Sequence, residues 1–277
     1  MSSAYQFAKI GTEPASLNAL SHFLGRVFEQ SDLFSDDYLR WQYAANPDGQ
    51  VVGFNALQND QIVAHYALQP FRAEIDGQSV ACLLSLNTAT DAAHRGKGLF
   101  IQLAEQSYAL AKKLGYELII GVANANSMPG FVNKLGFATL GPLDVSAGVG
   151  PLPQPKDEPM RYRRLWSKES LAWRLNKPKQ QYRWKNSQLM APTAYKLIEA
   201  SLGHFENRKN YQRAQTKRFI KLYLGLDPRL NFGWRYLSVP QSVRPSPLHF
   251  IYKNIGDQEY HLERKSTLFQ ALDFDAY

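Results

Sequence analysis

Two glycines and two cations lie together where the sequence enters a helical pattern. Residues 91–102 read DAAHRGKGLFIQ, and the RGKG segment, Arg95 to Gly98, opens the apolar periodicity of residues 97–114. The first N–H groups of a helix have no intrahelical partner, and the helix dipole makes that end partly positive. Glycines let a ligand approach the backbone closely because they have no Cβ. The segment therefore predicts an anion site, with a pyrophosphate as the expected anion.

Two better-known phosphate loops do not fit this segment. The spacing of GxxxxGK[ST] is absent, and Gln102 stands where GxGxxG would need its third glycine. A basic glycine turn can also be nothing more than a helix cap, so the elements around it decide its interpretation.

Those elements predict an α/β fold with a mostly antiparallel sheet and one βαβ-like step. The periodicities and turn residues predict helices at 14–29, 36–45, 97–114 and 129–134 and strands at 51–58, 61–75, 81–88 and 117–122, with another after Phe137.

The order of these pieces resembles a known family. Strand LLSLNTATD, loop RGKGLF, helix IQLAEQSYALAKKLG, strand YELIIGVAN and the segment NSMPGFVNKLGF are similar to motifs A and B of the GCN5-related N-acetyltransferase (GNAT) superfamily. The likeness covers residues 81–137, about a fifth of the chain. It implies a GNAT-type mixed, mostly antiparallel sheet flanked by helices, and acetyl-CoA (CoA) as the cofactor.

The resemblance also implies residues that hold the cofactor. The family motif Q/R-x-x-G-x-G/A grips the pyrophosphate, and Phe100 stands here in place of its last, small residue. A strand edge and an asparagine of the family bind the pantetheine arm. The positions carried over are Leu84, Leu86, Asn87, Thr88, Arg95, Gly96, Lys97, Gly98, Leu99, Phe100, Asn124, Asn126 and Phe131.

The acid that many family members use is missing. Their tyrosine, four residues before the glycine of motif B, corresponds to Val132, which cannot donate a proton. Ser127 and Tyr108 are possible substitutes, although Ser127 could also cap a short helix. A thiolate can leave without a dedicated acid, since a free thiol has a pKa of about 8.5.

Several groups could accept the proton of an acceptor amine, and each has a structural alternative. His65 lies in an alternating strand, where a structural imidazole is expected more often than a catalytic one. Glu74 resembles a solvated strand end, whereas Asp91 and His94 border the loop and would shape it. Related acetyltransferases that contain two copies of this fold use the C-terminal carboxylate as the base, and here that carboxylate belongs to Tyr277. Catalytic candidates are Tyr277, Glu74, His65 and Ser127; no metal site is expected.

The second half of the chain differs in composition and echoes the first in pattern. Residues 1–150 carry a net charge of −4 and residues 151–277 a net charge of +12. The segment 146–159, with four prolines and two glycines, shows no helical or strand period and predicts a boundary between domains 1–147 and 160–277. Four pieces of the first half align with pieces of the second. Leu39-Arg40-Trp41 aligns with Leu171-Ala172-Trp173, and Asn46-Pro47 aligns with Pro178. The segment VVGFNAL aligns with QQYRWKN, and QIVAHYALQP aligns with APTAYKLIEA.

We therefore expect a tandem GNAT fold whose degenerate second half walls the acceptor site. The expected function is transfer of an acetyl group from acetyl-CoA to a primary amine of a small molecule, for example an amino sugar. One alternative is a Fem-type transferase, which also has paired domains of this kind and uses aminoacyl-tRNA. The other is a non-catalytic, CoA-responsive nucleic-acid-binding module: the missing tyrosine would mean lost chemistry, and the alternating aromatic and basic residues of the second half suit nucleic acid. No signal or membrane segment is visible, so a cytoplasmic location without membrane or nucleic-acid partners is expected. The oligomeric state stays open.

Overall fold

Fifteen strands form one mixed sheet in the computed structural model, which describes residues 5–185, 187–205, 218–244 and 246–275. The strands are β1 (Gln6–Lys9), β2 (Val52–Gln58), β3 (Gln61–Ile75), β4 (Gln78–Thr90), β5 (Leu118–Ala123), β6 (Ala138–Pro142), β7 (Asp144–Val149), β8 (Tyr162–Leu165), β9 (Arg183–Lys185), β10 (Gln188–Pro192), β11 (Ile198–His204), β12 (Ile220–Leu226), β13 (Tyr236–Ser238), β14 (His249–Asn254) and β15 (Thr267–Gln270).

Helices cover both faces of this sheet. They are α1 (Pro14–Phe28), α2 (Asp36–Leu39), α3 (Leu99–Lys113) and α4 (Lys168–Leu175), with π-helical turns at Arg40–Ala44 and Gly130–Lys134. Short 3-10 turns lie at Ala92–His94, Gln241–Val243, Arg264–Ser266 and Ala271–Phe274. None of the helices in the described ranges is long and apolar enough to cross a membrane.

The first sheet half has the strand order β1-β2-β3-β4-β5-β14-β6, in which only β4 and β5 run parallel. The helix α3 connects these two strands and packs on one face through Leu99, Leu103 and Tyr108. The helices α1 and α2 pack on the opposite face. Successive residues of β3 point to opposite sides of the sheet, so Tyr66 joins the α3 core and Ala67 joins the α1 core.

The second sheet half repeats this order as β9-β10-β11-β12-β7-β13, again with one parallel pair, β11 and β12. The two halves exchange a strand. β14, from the end of the chain, lies between β5 and β6, whereas β7 leaves the first half and lies between β12 and β13. The matching order supports the repeat that the sequence predicts.

The junction between the halves is nearly symmetric. Trp41 and Trp173, which the repeat pairs with each other, stack with ring centroids 4.9 Å apart. Each indole donates to the other residue's backbone carbonyl, at 2.8 Å from Trp41 and 2.7 Å from Trp173. The sheet itself continues across the junction through β3, β8, β15 and β12.

Two details of the sequence analysis need correction. Residues 146–159 were expected to hold no strand, but β7 extends to Val149, because each of its residues pairs with β12. The aligned segment APTAYKLIEA, residues 191–200, straddles the turn between β10 and β11, so the counterpart of β3 is β10. The division into domains 1–147 and 160–277 stays a prediction, although strands cross it in both directions.

Candidate functional site

A cleft opens where β4 and β5 separate. Their pairing ends at Ser85 and Gly121, although both strands continue, to Thr90 and Ala123. The gap has a volume of about 330 Å³. Its lining residues are all uncharged: Phe28, Gln30, Phe34, Ser85, Leu86, Asn87, Thr88, Gly121, Val122, Asn124, Ser127, Phe131 and Ile251. Such a gap leaves backbone amide and carbonyl groups of β4 and β5 available to an extended, amide-containing ligand.

The RGKG segment lies at the N-terminus of α3, as the sequence predicts. Gly96 and Gly98 have φ angles of +76° and +75°, which non-glycine residues rarely adopt. Gly98 directly precedes the first helical residue, Leu99, and the four residues from Arg95 to Gly98 are exposed. The first amides of the helix, the dipole and two cations therefore converge on open solvent, an arrangement suited to an anion.

Asp91 and His94 shape this segment. The Asp91 carboxylate accepts from the Ala93 N–H at 3.0 Å and pairs with Arg26 at 3.1 Å. The imidazole Nδ1 of His94 is 2.9 Å from the hydroxyl of Tyr5. Neither residue lines the cleft.

Phe100 replaces the small residue of the family motif, and the structure shows what compensates for its size. Its ring packs edge-on against Phe131, with centroids 5.3 Å apart, and lies over Gly130. A Cβ on Gly130 would be 3.0 Å from Phe100 Cε1. The glycine therefore provides the space that the phenylalanine fills.

Asn124 and Ser127 form a turn at the end of β5. The Asn124 Oδ1 accepts from the N–H groups of Asn126 and Ser127, both at 3.0 Å, and Ser127 Oγ accepts from the Asn124 N–H at 3.0 Å. Since its carbonyl is used in this turn, Asn124 has only its amide N–H groups to offer a ligand. Asn126 is exposed and does not line the cleft.

The proposed bases lie away from the cleft. His65 is fully buried and is 2.9 Å from the Tyr43 hydroxyl and 2.7 Å from Asn55 Oδ1. Burial lowers the pKa of His65 to about 3, so its imidazole is neutral. Glu74 forms a bidentate ion pair with Arg163. It pairs with Ser79 of β4, which lies six residues, or roughly 20 Å, along that strand from Ser85 at the cleft.

Tyr108 does not line the cleft. Its hydroxyl lies 2.8 Å from the Tyr66 hydroxyl, which accepts from Ser85 Oγ at 3.1 Å. Burial raises the pKa of Tyr66 to about 12 and that of Tyr108 further. Ser85 therefore joins the cleft to a buried pair of tyrosines that keep their protons. Tyr277, the remaining catalytic candidate, lies outside the described residues.

The structure gathers some of the predicted residues and separates others. Those that line the cleft are Leu86, Asn87, Thr88, Asn124, Phe131 and Ser127. Leu84 is buried and paired with Ile120. Ser85 also lines the cleft and lies within the strand edge, residues 84–88, that the resemblance implies. The sequence analysis did not single out Gly121, Val122, Phe28, Gln30, Phe34 and Ile251. Of these, Gly121 and Val122 lie shortly before Asn124 on β5, whereas Ile251 belongs to β14 of the other half, which no local pattern shows.

The comparisons with known proteins agree with this geometry. Residues 12–140 match the family model described as an acetyltransferase (GNAT) domain. A probable N-acyltransferase from Enterococcus faecalis V583 is 10% identical, with 91% of this chain and 73% of that chain covered and a TM-score of 0.57. A GCN5-related N-acetyltransferase from Anabaena variabilis is 11% identical, with the same coverages and a TM-score of 0.55.

A third solved structure, Eis1 from Mycobacterium abscessus, is 7% identical and has a TM-score of 0.57 over 91% of this chain and 74% of that chain. At such identities these structures show the shared fold alone. None of the curated proteins matches the chain. Residues 12–140, which carry the splayed strands and the glycine-capped helix, form a domain of the GNAT superfamily.

Proposed function

We propose that this protein moves an acetyl group from acetyl-CoA to a primary amine of a small molecule. The observation that carries the proposal is the open gap between β4 and β5 beside the glycine-capped start of α3. One feature suits an extended amide-containing arm and the other a pyrophosphate, and CoA contains both.

The residues present fit this cofactor. The amides from Gly96 to Phe100, with the exposed side chains of Arg95 and Lys97, would hold the pyrophosphate. The unpaired edge of β4 from Leu86 to Thr88 would accompany the pantetheine arm. Bound acetyl-CoA would supply the activated acyl group, and the chain's own residues would orient the reactants in an uncharged cleft.

The reaction forms a C–N bond to the acceptor and breaks the C–S bond of the thioester. The amine must lose one proton, and the departing thiolate can take one from solvent. The hydroxyl groups that line the cleft belong to Ser85, Thr88 and Ser127. No side chain among the described lining residues is a carboxylate or an imidazole, so we propose that water carries the amine proton away.

The lining of the cleft also bears on the acceptor. Phe28, Phe34 and Leu86 give it an apolar wall, and none of its described lining residues is acidic. A polycationic amino sugar would meet no negative charge there. A singly charged amine with an apolar body could bury that apolar body against the aromatic rings. We therefore propose arylalkylamines as the first acceptor class to test and amino sugars as the second.

Turnover with a panel of amines tests the function. Wild-type protein is incubated with acetyl-CoA and 2-phenylethylamine, glucosamine or spermidine, and the released thiol and the product mass are followed. The protein contributes little background, because its single cysteine, Cys82, is fully buried and burial raises the pKa of its thiol to about 12. We expect acetyl-amine product in proportion to the thiol released.

Two results would contradict the proposal. CoA binding without turnover of any amine would favour the non-catalytic module, and a gel shift with aminoacyl-tRNA together with aminoacyl transfer would favour the Fem-type alternative. A cytoplasmic location stays a prediction.

A further inference from the structure

A chain of side-chain hydrogen bonds links the C-terminal segment to the cleft. Asp275 Oδ2 accepts from the Tyr38 hydroxyl at 2.9 Å. The Tyr38 oxygen accepts from Gln42 Nε2 at 3.0 Å, and Gln42 Oε1 accepts from Asn87 Nδ2 at 2.7 Å. Three of these residues are nearly or fully enclosed, and the fourth, Asn87, lines the cleft.

The carboxylate fixes the direction of every bond in this chain. Burial acts to raise the pKa of Asp275, but the charges of Arg174 and Lys177 outweigh it and hold that pKa below its ordinary value. An ionised carboxylate can only accept, so Tyr38 must donate to it and must accept from the NH₂ group of Gln42. The carbonyl oxygen of Gln42 then faces Asn87 and requires an N–H there.

The second amide hydrogen of Asn87 is also used. Asn87 Nδ2 donates to the Tyr43 hydroxyl at 2.9 Å, and that hydroxyl can donate onward to the neutral His65 imidazole. His65 in turn can donate from Nδ1 to Asn55 Oδ1 at 2.7 Å. With both amide hydrogens held inside the protein, Asn87 Oδ1 is left without a hydrogen-bond partner among the described residues, although its residue lines the cleft.

The backbone places Asn87 where an acceptor would enter. Its φ angle is +51°, and the register of β3 and β4 shifts opposite it, between His65 and Ala67. This bulge turns the side chain toward Gln42 and Tyr43, on the α1 and α2 face of the sheet. The anion site lies at the start of α3, on the opposite face. A cofactor held there and an acceptor beside Asn87 would meet in the gap between the strands.

We propose that the Asn87 side-chain carbonyl accepts a hydrogen bond from the acceptor amine and positions it for attack, and that Asp275 acts through Tyr38 and Gln42 to keep this carbonyl turned toward the cleft. The inference rests on the proposed function for the identity of the amine. It makes Asn87 a substrate-contacting residue, and Tyr38 a positioning residue.

The variant Asn87→Gly tests the contact, because glycine keeps the positive φ angle while it removes the side chain. The matched control is Asn59→Gly, since Asn59 has the same φ of 51° in the turn between β2 and β3. With 2-phenylethylamine as acceptor, we expect Asn87→Gly to raise the KM for the amine at least tenfold. The CoA dissociation constant should change less than twofold, because the pantetheine arm would contact only the backbone of residue 87, which the glycine retains. Asn59→Gly should change neither.

The variant Tyr38→Phe tests the orienting chain with less risk to folding than a change of Asp275. It should raise the amine KM three- to tenfold, with kcat and CoA affinity nearly unchanged, whereas a merely structural role would lower kcat and CoA affinity as well. Unchanged amine KM in both variants of an active enzyme would overturn the inference and leave the function standing.

A binding measurement separates the two failures. Titration of the CoA complex with 2-phenylethylamine, followed by the side-chain amide signal of Asn87, does not need turnover. If the wild type acetylates no amine but binds this one, with affinity lost in Asn87→Gly, the contact stands and the proposed function fails. If the amide signal does not move and Asn87→Gly binds the amine as the wild type does, the inference is wrong.

Discussion

The two sheet halves share a strand order but treat the gap between their parallel strands differently. In the first, β4 and β5 separate beyond Ser85 and leave a cleft of about 330 Å³. In the second, β15 lies in the corresponding gap: Gln270 and Phe269 pair with the end of β12, and Gln270 Oε1 accepts from the His204 N–H of β11 at 2.6 Å. The chain itself supplies there the partners that a ligand would supply in the first half.

This difference indicates how one copy could serve the other. Because β15 pairs with backbone groups in that gap, the second half offers fewer of them to a cofactor. The second half instead contributes part of the cleft lining: β14 pairs with β5 of the first sheet half and places Ile251 against Gly121 at the cleft. The expectation of a single cofactor site per chain follows from this division.

The largest expected effect concerns the symmetric contact between the halves. Trp173→Ala should lower the free energy of unfolding by about 3–5 kcal/mol, because it removes a stacked, buried indole and its hydrogen bond. Trp41→Ala should cost a similar amount, and the double variant less than the sum, since the residues share one contact.

Urea denaturation measures these losses. Trp234→Ala provides the control, because Trp234 is 85% exposed and its removal should stay within about 0.5 kcal/mol. Losses below about 1 kcal/mol for both buried tryptophans would show that the halves do not depend on this junction.

The next effect separates the halves by cofactor binding. Gly98→Val should weaken CoA binding at least tenfold, because a side chain would lie where the pyrophosphate approaches and would disfavour the φ of +75°. Gly115→Val is the matched control: Gly115 has a φ of +83° at the other end of α3, in open space. Calorimetry should give one CoA per chain in the wild type; two sites, or unchanged affinity in a folded Gly98→Val protein, would break the comparison.

Much of the first half was predictable because its signals are local. The helix from Pro14 begins with proline in its first turn and buries Leu17, Leu20 and Leu24 at helical spacing, and its predicted end was one residue from the observed one. The strand exchange was not predictable. β7 and β14 are short segments whose composition fits either sheet half, and their partners are set by tertiary packing.

The site divides in the same way. The glycine loop is a contiguous motif, so the sequence alone predicts its position. The hydrogen bonds that orient Asn87 join residues 38, 42, 87 and 275, and no spacing in the sequence predicts that these residues meet. His65 was singled out for its chemistry, but its burial decides its role, and burial depends on the whole sheet.

The halves should also respond oppositely to pH. Burial lowers the pKa of His65 to about 3 and raises that of Asp273 to about 6. Below pH 6.5 His65 is protonated in the unfolded chain but not in the folded one, so its contribution to the free energy of unfolding decreases as the pH falls. Between pH 4 and 6 Asp273 is protonated in the folded chain but not in the unfolded one, so its contribution to the free energy of unfolding decreases as the pH rises.

Variants of each residue separate the two contributions. From pH 5.5 to 4.5, His65→Gln should gain roughly 1 kcal/mol of unfolding free energy relative to the wild type, and Asp273→Asn should lose a similar amount. Urea denaturation at the two pH values measures this, and the comparison uses only the change with pH, so a constant cost of either substitution cancels. Parallel pH dependence in all three proteins would contradict the assignment.

The smallest expected effect concerns the hydroxyls near the open gap. Tyr108 bonds to Tyr66 and does not line the cleft, and Ser127 is held in the turn with Asn124. Tyr108→Phe and Ser127→Ala should therefore lower kcat less than fivefold, about 1 kcal/mol of barrier. The pH–rate profile of the wild type should rise as the amine loses its proton and should show no falling limb near pH 10. A falling limb that disappears in Tyr108→Phe, in a folded protein that still binds CoA, would instead make the buried tyrosine pair the source of the thiolate's proton, delivered through Ser85.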